Sequence, residues 1–152
     1  MDLKSGYPFW AVKNGLLKTF PQLTRDHLCE VVVIGGGITG ALIADELSRS
    51  GHHVVVLERR DVGWGSSAAS TALLQYEIDT HMTELAERYG EADAVRAYRA
   101  CAEAIGELES LAAGLGDVDF ERQQSLYYAS SEEDVASLQE ELALRQKHGF
   151  EA

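Results

Sequence analysis

At 152 residues and 16.6 kDa, with 45% apolar and 25% charged side chains, the chain has the size and composition of one globular domain; only two prolines and fourteen glycines exclude collagen-like and proline-rich architectures. A formal charge of −12 and an isoelectric point near 4.7 argue against a general nucleic-acid binder, because such a surface repels phosphate backbones. No apolar run approaches the about 18–20 residues of a membrane helix. The start, Met1-Asp2-Leu3-Lys4-Ser5-Gly6, lacks the apolar stretch of a secretory signal, and Cys29 and Cys101 make neither a disulfide framework nor a metal spacing. The expected compartment is reducing and cytoplasmic.

The charge is uneven. Residues 1–80 carry 7 basic and 9 acidic side chains, residues 81–152 carry 6 and 16. The acidic excess reads as solvated helix faces. The nearly neutral, glycine-punctuated first half is the better place to look for a ligand.

Residues 1–28 form an arm. Tyr7-Pro8-Phe9-Trp10 is expected to be extended, since proline turns its predecessor away from helix, with Lys13-Asn14-Gly15 a turn and Phe20-Pro21 a further break. The aromatics pack on the domain or cover a partner surface. The β-branched run Glu30-Val31-Val32-Val33-Ile34 predicts a strand buried on both faces of a parallel sheet. It stops at Gly35-Gly36-Gly37-Ile38-Thr39-Gly40, after which Ala41, Leu42, Ala44 and Leu47 recur at helical spacing up to Ser50-Gly51. His52-His53-Val54-Val55-Val56-Leu57-Glu58 predicts a second buried strand, which completes a βαβ unit.

Residues 59–71 are small and polar and read as a loop. From about residue 80 the period becomes 3.6. Met82, Leu85 and Tyr89 form a short helical face cut at Gly90. Val95, Tyr98, Cys101/Ala102, Ile105, Leu108 and Leu111/Ala112 form a longer one ending before Gly114. Residues 120–128 predict a strand with Leu126 and Tyr128 on one face. Ser130-Ser131-Glu132-Glu133 predicts a capping box for a helix lined by Val135, Leu138 and Leu142, closed by Lys147, His148 and Gly149.

Chemistry concentrates at Gly35-x-Gly37-x-x-Gly40. Gly35 permits the tight turn, Gly37 admits a pyrophosphate to the backbone, and Gly40 lets the helix pack closely on the strand. With Ile38 and Thr39, these residues open a helix whose unpaired N–H groups and partial positive charge face a diphosphate. Glu58, eighteen residues after Gly40, ends the second strand, where a carboxylate accepts hydrogen bonds from both ribose hydroxyls of an adenosine and repels a 2′-phosphate. The alternative is a glycine-rich turn and a surface glutamate that bind nothing. The turn alone does not choose between NAD and FAD. A longer dinucleotide needs further small donors, and Gly65, Ser66, Ser67, Ser70 and Thr71 supply them, with Arg59 able to lie against the adenine. The alternative for the serine run is a flexible surface loop.

The segment Arg59-Arg60-Asp61-Val62-Gly63-Trp64-Gly65-Ser66-Ser67-Ala68-Ala69-Ser70-Thr71 resembles the loop after the ribose acid in FAD-dependent oxidoreductases of the D-amino-acid oxidase / glycine oxidase superfamily, and the glycerol-3-phosphate dehydrogenase branch has a similar loop. The arm Ser5-Gly6-Tyr7-Pro8-Phe9-Trp10, the Val33–Ala41 turn and Ala69-Ser70-Thr71-Ala72-Leu73-Leu74-Gln75-Tyr76-Glu77 resemble one amine-oxidising branch. The resemblance implies an α/β fold: a Rossmann-type FAD-binding unit over residues 29–80, and over 81–152 the start of a helical and antiparallel α+β substrate domain. It also implies an enzyme that oxidises a small-molecule amine or amino acid by hydride transfer to flavin.

Some relatives attach FAD through a histidine in the serine loop. Residues 65–71 hold no His or Cys, so non-covalent FAD is expected. Where some amine-oxidising relatives carry a basic residue facing the flavin, Ala72 and Gln75 stand here. Relatives run to about twice this length or more, and Gly149-Phe150-Glu151-Ala152 reads as the entry to another strand. The chain is therefore expected to be an N-terminal portion, completed by further C-terminal sequence or a partner chain.

P-loop, Tyr-x-x-x-Lys, HExxH, CxxC and GxSxG patterns are absent. His52-His53 reads as a turn. His81 reads as a helix-start residue or a neighbour of the flavin. Tyr76 and Glu77 face the flavin ring or belong to a connecting segment. The rival functions are a non-catalytic dinucleotide-binding or interaction module and an NAD-dependent oxidoreductase.

Overall fold

The computed structural model describes residues 6–15 and 18–151; the reading of the Met1–Ser5 start lies outside them. The chain divides into two compact units, Met1–Leu73 and Leu74–Ala152.

The first unit begins with α1 (Phe9–Asn14). Phe9 and Trp10, expected to be extended, are helical. Pro8, at φ −65° and ψ 151°, is the N-cap, and its fixed φ suits a helix entry; Gly15, at φ 62°, ends the helix. The strands β1 (Val31–Ile34) and β2 (Val54–Leu57) pair in parallel, Val31 with Val54 through Ile34 with Leu57. Between them runs α2 (Ile38–Arg49). It stops because Gly51 adopts φ 89° and the N–H groups of Gly51 and His52 return to Ser48 and Leu47 O, a closure that turns the chain into β2.

The strands are less covered than their sequence predicts. Val32 is 49% and Ile34 86% exposed. The reason is that α2 packs on the sheet through residues such as Val33, whose Cγ1 lies against Gly40, while Val32 and Ile34 alternate onto the other face.

The second unit contains α3 (Met82–Tyr89), α4 (Glu91–Ala113) and α5 (Asp134–Lys147). Gly90, at φ 92°, breaks α3 from α4. Its core is Met82, Ala94 and Tyr98, with Tyr76, Leu85, Ala86, Val95, Leu144 and Phe150 packed around them. Tyr89 instead lies 67% exposed, past the end of the core-facing stripe.

Three further expectations need correcting. Residues 120–128 form no strand; among the described residues this unit has none to pair with them, and Leu126, Tyr127 and Tyr128 stay exposed. The expected capping box does not form: α5 starts at Asp134 with Glu133 as its N-cap and no side-chain cap, and Asp134 Oδ2 instead accepts from the N–H and hydroxyl of Ser131. The inward face of α5 is mixed rather than apolar, with Leu138 and Leu144 half-buried beside two charged residues. Glu141 and Arg145 are buried, while Val135 and Leu142 are 42% and 40% exposed.

The burial of Glu141 has a specific cause. Its oxygens accept the N–H groups of Met82 and Thr83, both at 2.9 Å, so an internal carboxylate caps α3. Arg145 Nε reaches Glu141 at 2.7 Å and its Nη1 reaches Glu77 at 3.2 Å. Burial alone would raise the Glu141 pKa, but the two main-chain donors and the guanidinium outweigh it and hold it below the usual range. The Tyr98 hydroxyl donates to Thr80 O at 2.8 Å, and burial, reinforced by Glu141, pushes its pKa up to about 12. At the far end Gly149 and Phe150 close α5 onto Gln146 and Arg145 O. Phe150 then stacks on Tyr76.

Candidate functional site

The glycine turn joins β1 to α2. At φ 109°, Gly35 holds a conformation that disfavours any other residue, while its N–H donates to Leu57 O at 2.8 Å and so still ties the turn to the sheet. Gly40 is required by space: a Cβ there would lie 2.0 Å from Gly35 O. Gly37, the N-cap of α2, has an ordinary extended backbone, φ −80° and ψ −177°. Glycine matters there because a Cβ would project to 3.3 Å from Ser67 Oγ, into the approach to the helix start. Gly36 was not singled out from the sequence. It is buried, and its Cβ would come within 3.3 Å of Glu58 Cβ. The run of three glycines was the only signal for it.

Glu58 follows β2 and folds back onto this turn. Its Oε2 accepts the Gly36 N–H and its Oε1 the Arg60 N–H, each at 2.8 Å. The Arg60 and then the Gly36 hydrogen bonds hold its carboxyl below the ordinary carboxylate range against a small opposing effect of burial. Glu58 is thus ionised and oriented, and two bonds leave lone pairs for further donors.

The serine loop reaches the same place. Ser67 lies in a 3₁₀ turn, Ser66–Ala69, that Gly65 opens. Its Oγ accepts the Ile38 N–H at 3.0 Å, so a residue 29 positions away satisfies an orphan donor of the helix start. Gly63 N–H donates to Gly36 O at 2.8 Å, a second tie between loop and turn. Gly35, Gly36, Gly37, Ile38, Gly40, Glu58 and Ser67 are therefore brought together.

The other expected residues are placed differently. Thr39 lies exposed in the first turn of α2, and Ser66 and Arg59 are exposed. The hydroxyls of Ser70 and Thr71 accept local N–H groups of Ala72 and Leu73. Tyr76 and Glu77 belong to the second unit's core, Tyr76 against Phe150 and Tyr98, and Glu77 paired with Arg145. His81 is the N-cap of α3, with its ring bonded to the Tyr127 hydroxyl.

The glycine turn opens a helix beside a strand-end acid and a serine loop, in a parallel βαβ unit. The FAD dependent oxidoreductase family model matches residues 30–152, and the chain belongs to that family, whose cofactor is FAD. A protein of Bacillus subtilis (strain 168) named as a Rieske 2Fe-2S iron-sulfur protein is 31% identical over 94% of this chain and 28% of its own length. Gamma-glutamylputrescine oxidoreductase of Escherichia coli (strain K12) is 27% identical over 93% of this chain and 33% of its own. Glycine oxidase of Geobacillus kaustophilus is 38% identical over 36% of this chain and 15% of its own. The chain spans about a third of the length of the curated relatives that it matches throughout. No solved structure gives a significant match. Among the described residues no helix is long and apolar enough to cross a membrane, and no group of His, Cys, Asp and Glu has the geometry to hold a metal.

Proposed function

We propose that this chain holds the ADP half of a non-covalently bound FAD in a cytoplasmic oxidoreductase that oxidises a small amine or amino acid. The observation that carries the reading is the meeting of Gly37, Glu58 and Ser67 at one helix start. The fit to FAD rests on three features. The space before Gly37 is one that a Cβ would fill. The first turn of α2 offers N–H groups and a positive dipole end to a diphosphate. The ionised Glu58, held by the Gly36 and Arg60 N–H groups, keeps lone pairs that would accept ribose hydroxyls, and its charge would repel a 2′-phosphate.

Each residue has a role in binding. Gly37 lets the diphosphate approach, Ser67, whose Oγ accepts the Ile38 N–H, donates its own hydroxyl proton to that oxyanion, Glu58 orients the ribose, and Gly35 and Gly40 keep the turn tight. Thr39, Gly65, Ser66, Ser70 and Thr71 line the continuation of the cofactor, and Arg59 lies by the adenine. When bound, FAD would supply the hydride-accepting chemistry. Amine or amino-acid substrates are favoured by the names of the Escherichia coli and Geobacillus kaustophilus relatives. The remaining walls of the substrate pocket would come from further sequence or a partner chain.

The test is the visible spectrum of the purified protein and its titration with FAD. Flavin absorption bands, or saturable quenching of flavin fluorescence, support the reading; neither one refutes it. Tight ADP binding without any preference for FAD would leave the non-catalytic module. The Bacillus subtilis relative favours a second reading, in which this sequence belongs to a protein that also carries a Rieske 2Fe-2S cluster. Iron and sulfide analysis of the natural full-length polypeptide separates the two.

A further inference from the structure

The helix α1 lies before the βαβ unit in sequence. It has six residues, too short to persist alone. It persists docked on the serine loop. Trp10 Nε1–H donates to Ser70 O at 2.8 Å. The Tyr7 ring meets the Trp64 ring edge-on at 6.5 Å, and Phe9 packs on Trp10 at 4.9 Å. Ala68, in the 3₁₀ turn beside α1, is buried. The loop is thus held from two sides. On one, Gly63 and Ser67 bond the glycine turn at Gly36 and Ile38. On the other, Trp10 bonds Ser70, three residues from Ser67.

We infer that Trp10 is a positioning residue for the cofactor: through Ser70 it holds the serine loop so that the Ser67 hydroxyl stays at the start of α2. This rests on the FAD reading for its consequence and on this chain's own hydrogen bonds for its mechanism. A 3₁₀ turn of four residues has little internal stability and many accessible alternatives. Fixing its far end removes those alternatives before the dinucleotide arrives, which raises affinity by lowering the ordering cost of binding. The indole N–H rather than the ring's bulk makes the tie, so the function is separable from packing.

Trp10→Phe keeps an aromatic ring and deletes the donor. Loss of one neutral hydrogen bond corresponds to a weakening of about three- to tenfold. We expect the Kd for FAD, from flavin fluorescence quenching of the 152-residue chain, to rise by about fivefold through faster dissociation. In Ser67→Ala the same substitution should add little, because Trp10 acts through Ser67. Without any dinucleotide, amide hydrogen exchange at Ile38 and in the Ser66–Ala69 turn should quicken in Trp10→Phe, while the amides of α2 beyond its first turn keep their protection. Unchanged exchange at Ile38 overturns the proposal, as does an additive double variant or an unchanged Kd. Wild-type chain that binds no FAD refutes the cofactor reading instead, and the exchange measurement still decides whether Trp10 fixes the loop.

Discussion

Both units contain a helix start whose orphan N–H groups are met by a distant side chain, and the two partners differ. In the second unit the N–H groups of Met82 and Thr83 are sealed by a carboxylate from the chain itself, the buried Glu141, neutralised by Arg145. In the first, the Ile38 N–H is met by a neutral hydroxyl, that of Ser67, on an exposed surface. A helix start provided with its own anion is a structural joint. One covered only by a hydroxyl keeps its positive end available to an anion from outside.

The largest expected effect lies in the sealed joint. Arg145→Met leaves Glu141 buried without its cation and should cost about 3–5 kcal/mol, read as a lower urea midpoint for the second unit's helices. A cost near zero would break the contrast, because Glu141 would then be as tolerant as a surface residue. Gly40→Ala comes next. Its Cβ, 2.0 Å from Gly35 O, must displace the turn, at about 3 kcal/mol and with loss of dinucleotide binding. Gly37→Ala separates space from strain. Its backbone suits any residue, so stability should change by less than about 1 kcal/mol while ADP affinity falls at least tenfold by calorimetry.

The smallest effect is a pH dependence. The Glu58 pKa is lower in the folded chain than its ordinary value of 4.5. Its contribution to stability is therefore present above pH 4.5 and is lost as the pH falls through the depressed folded value. Glu58→Gln should flatten that part of the stability profile in acid and leave the profile near neutrality unchanged.

The βαβ unit was legible because each of its signals is local: β-branched runs for β1 and β2, Gly51 for the end of α2, and glycines where φ or space requires them. The acid Glu58 was legible as a position, but its grip on Gly36 and Arg60 was not, since that depends on the fold-back of the loop. Ser67 stood among four equivalent hydroxyls in the sequence, and only the three-dimensional turn distinguishes it. In the second unit the helices were legible from their 3.6-residue period. The charged pair on the inward face of α5 was not, because apolar periodicity points to Val135 and Leu142, whereas the actual contact is set by two main-chain donors on α3. The strand expected over residues 120–128 fails for a related reason: alternation describes a face, but a strand also needs a neighbour to pair with.

The central claim is that the α2 start, Glu58 and Ser67 form a site for the ADP half of a dinucleotide. Calorimetric titration of the 152-residue chain with ADP, beside Gly37→Val, tests it most directly. The account predicts saturable one-to-one binding to the wild-type chain and a loss of at least tenfold in the variant, in which a branched side chain occupies the space before the helix. Equal affinity of the two chains, or no binding by the wild type, would contradict it.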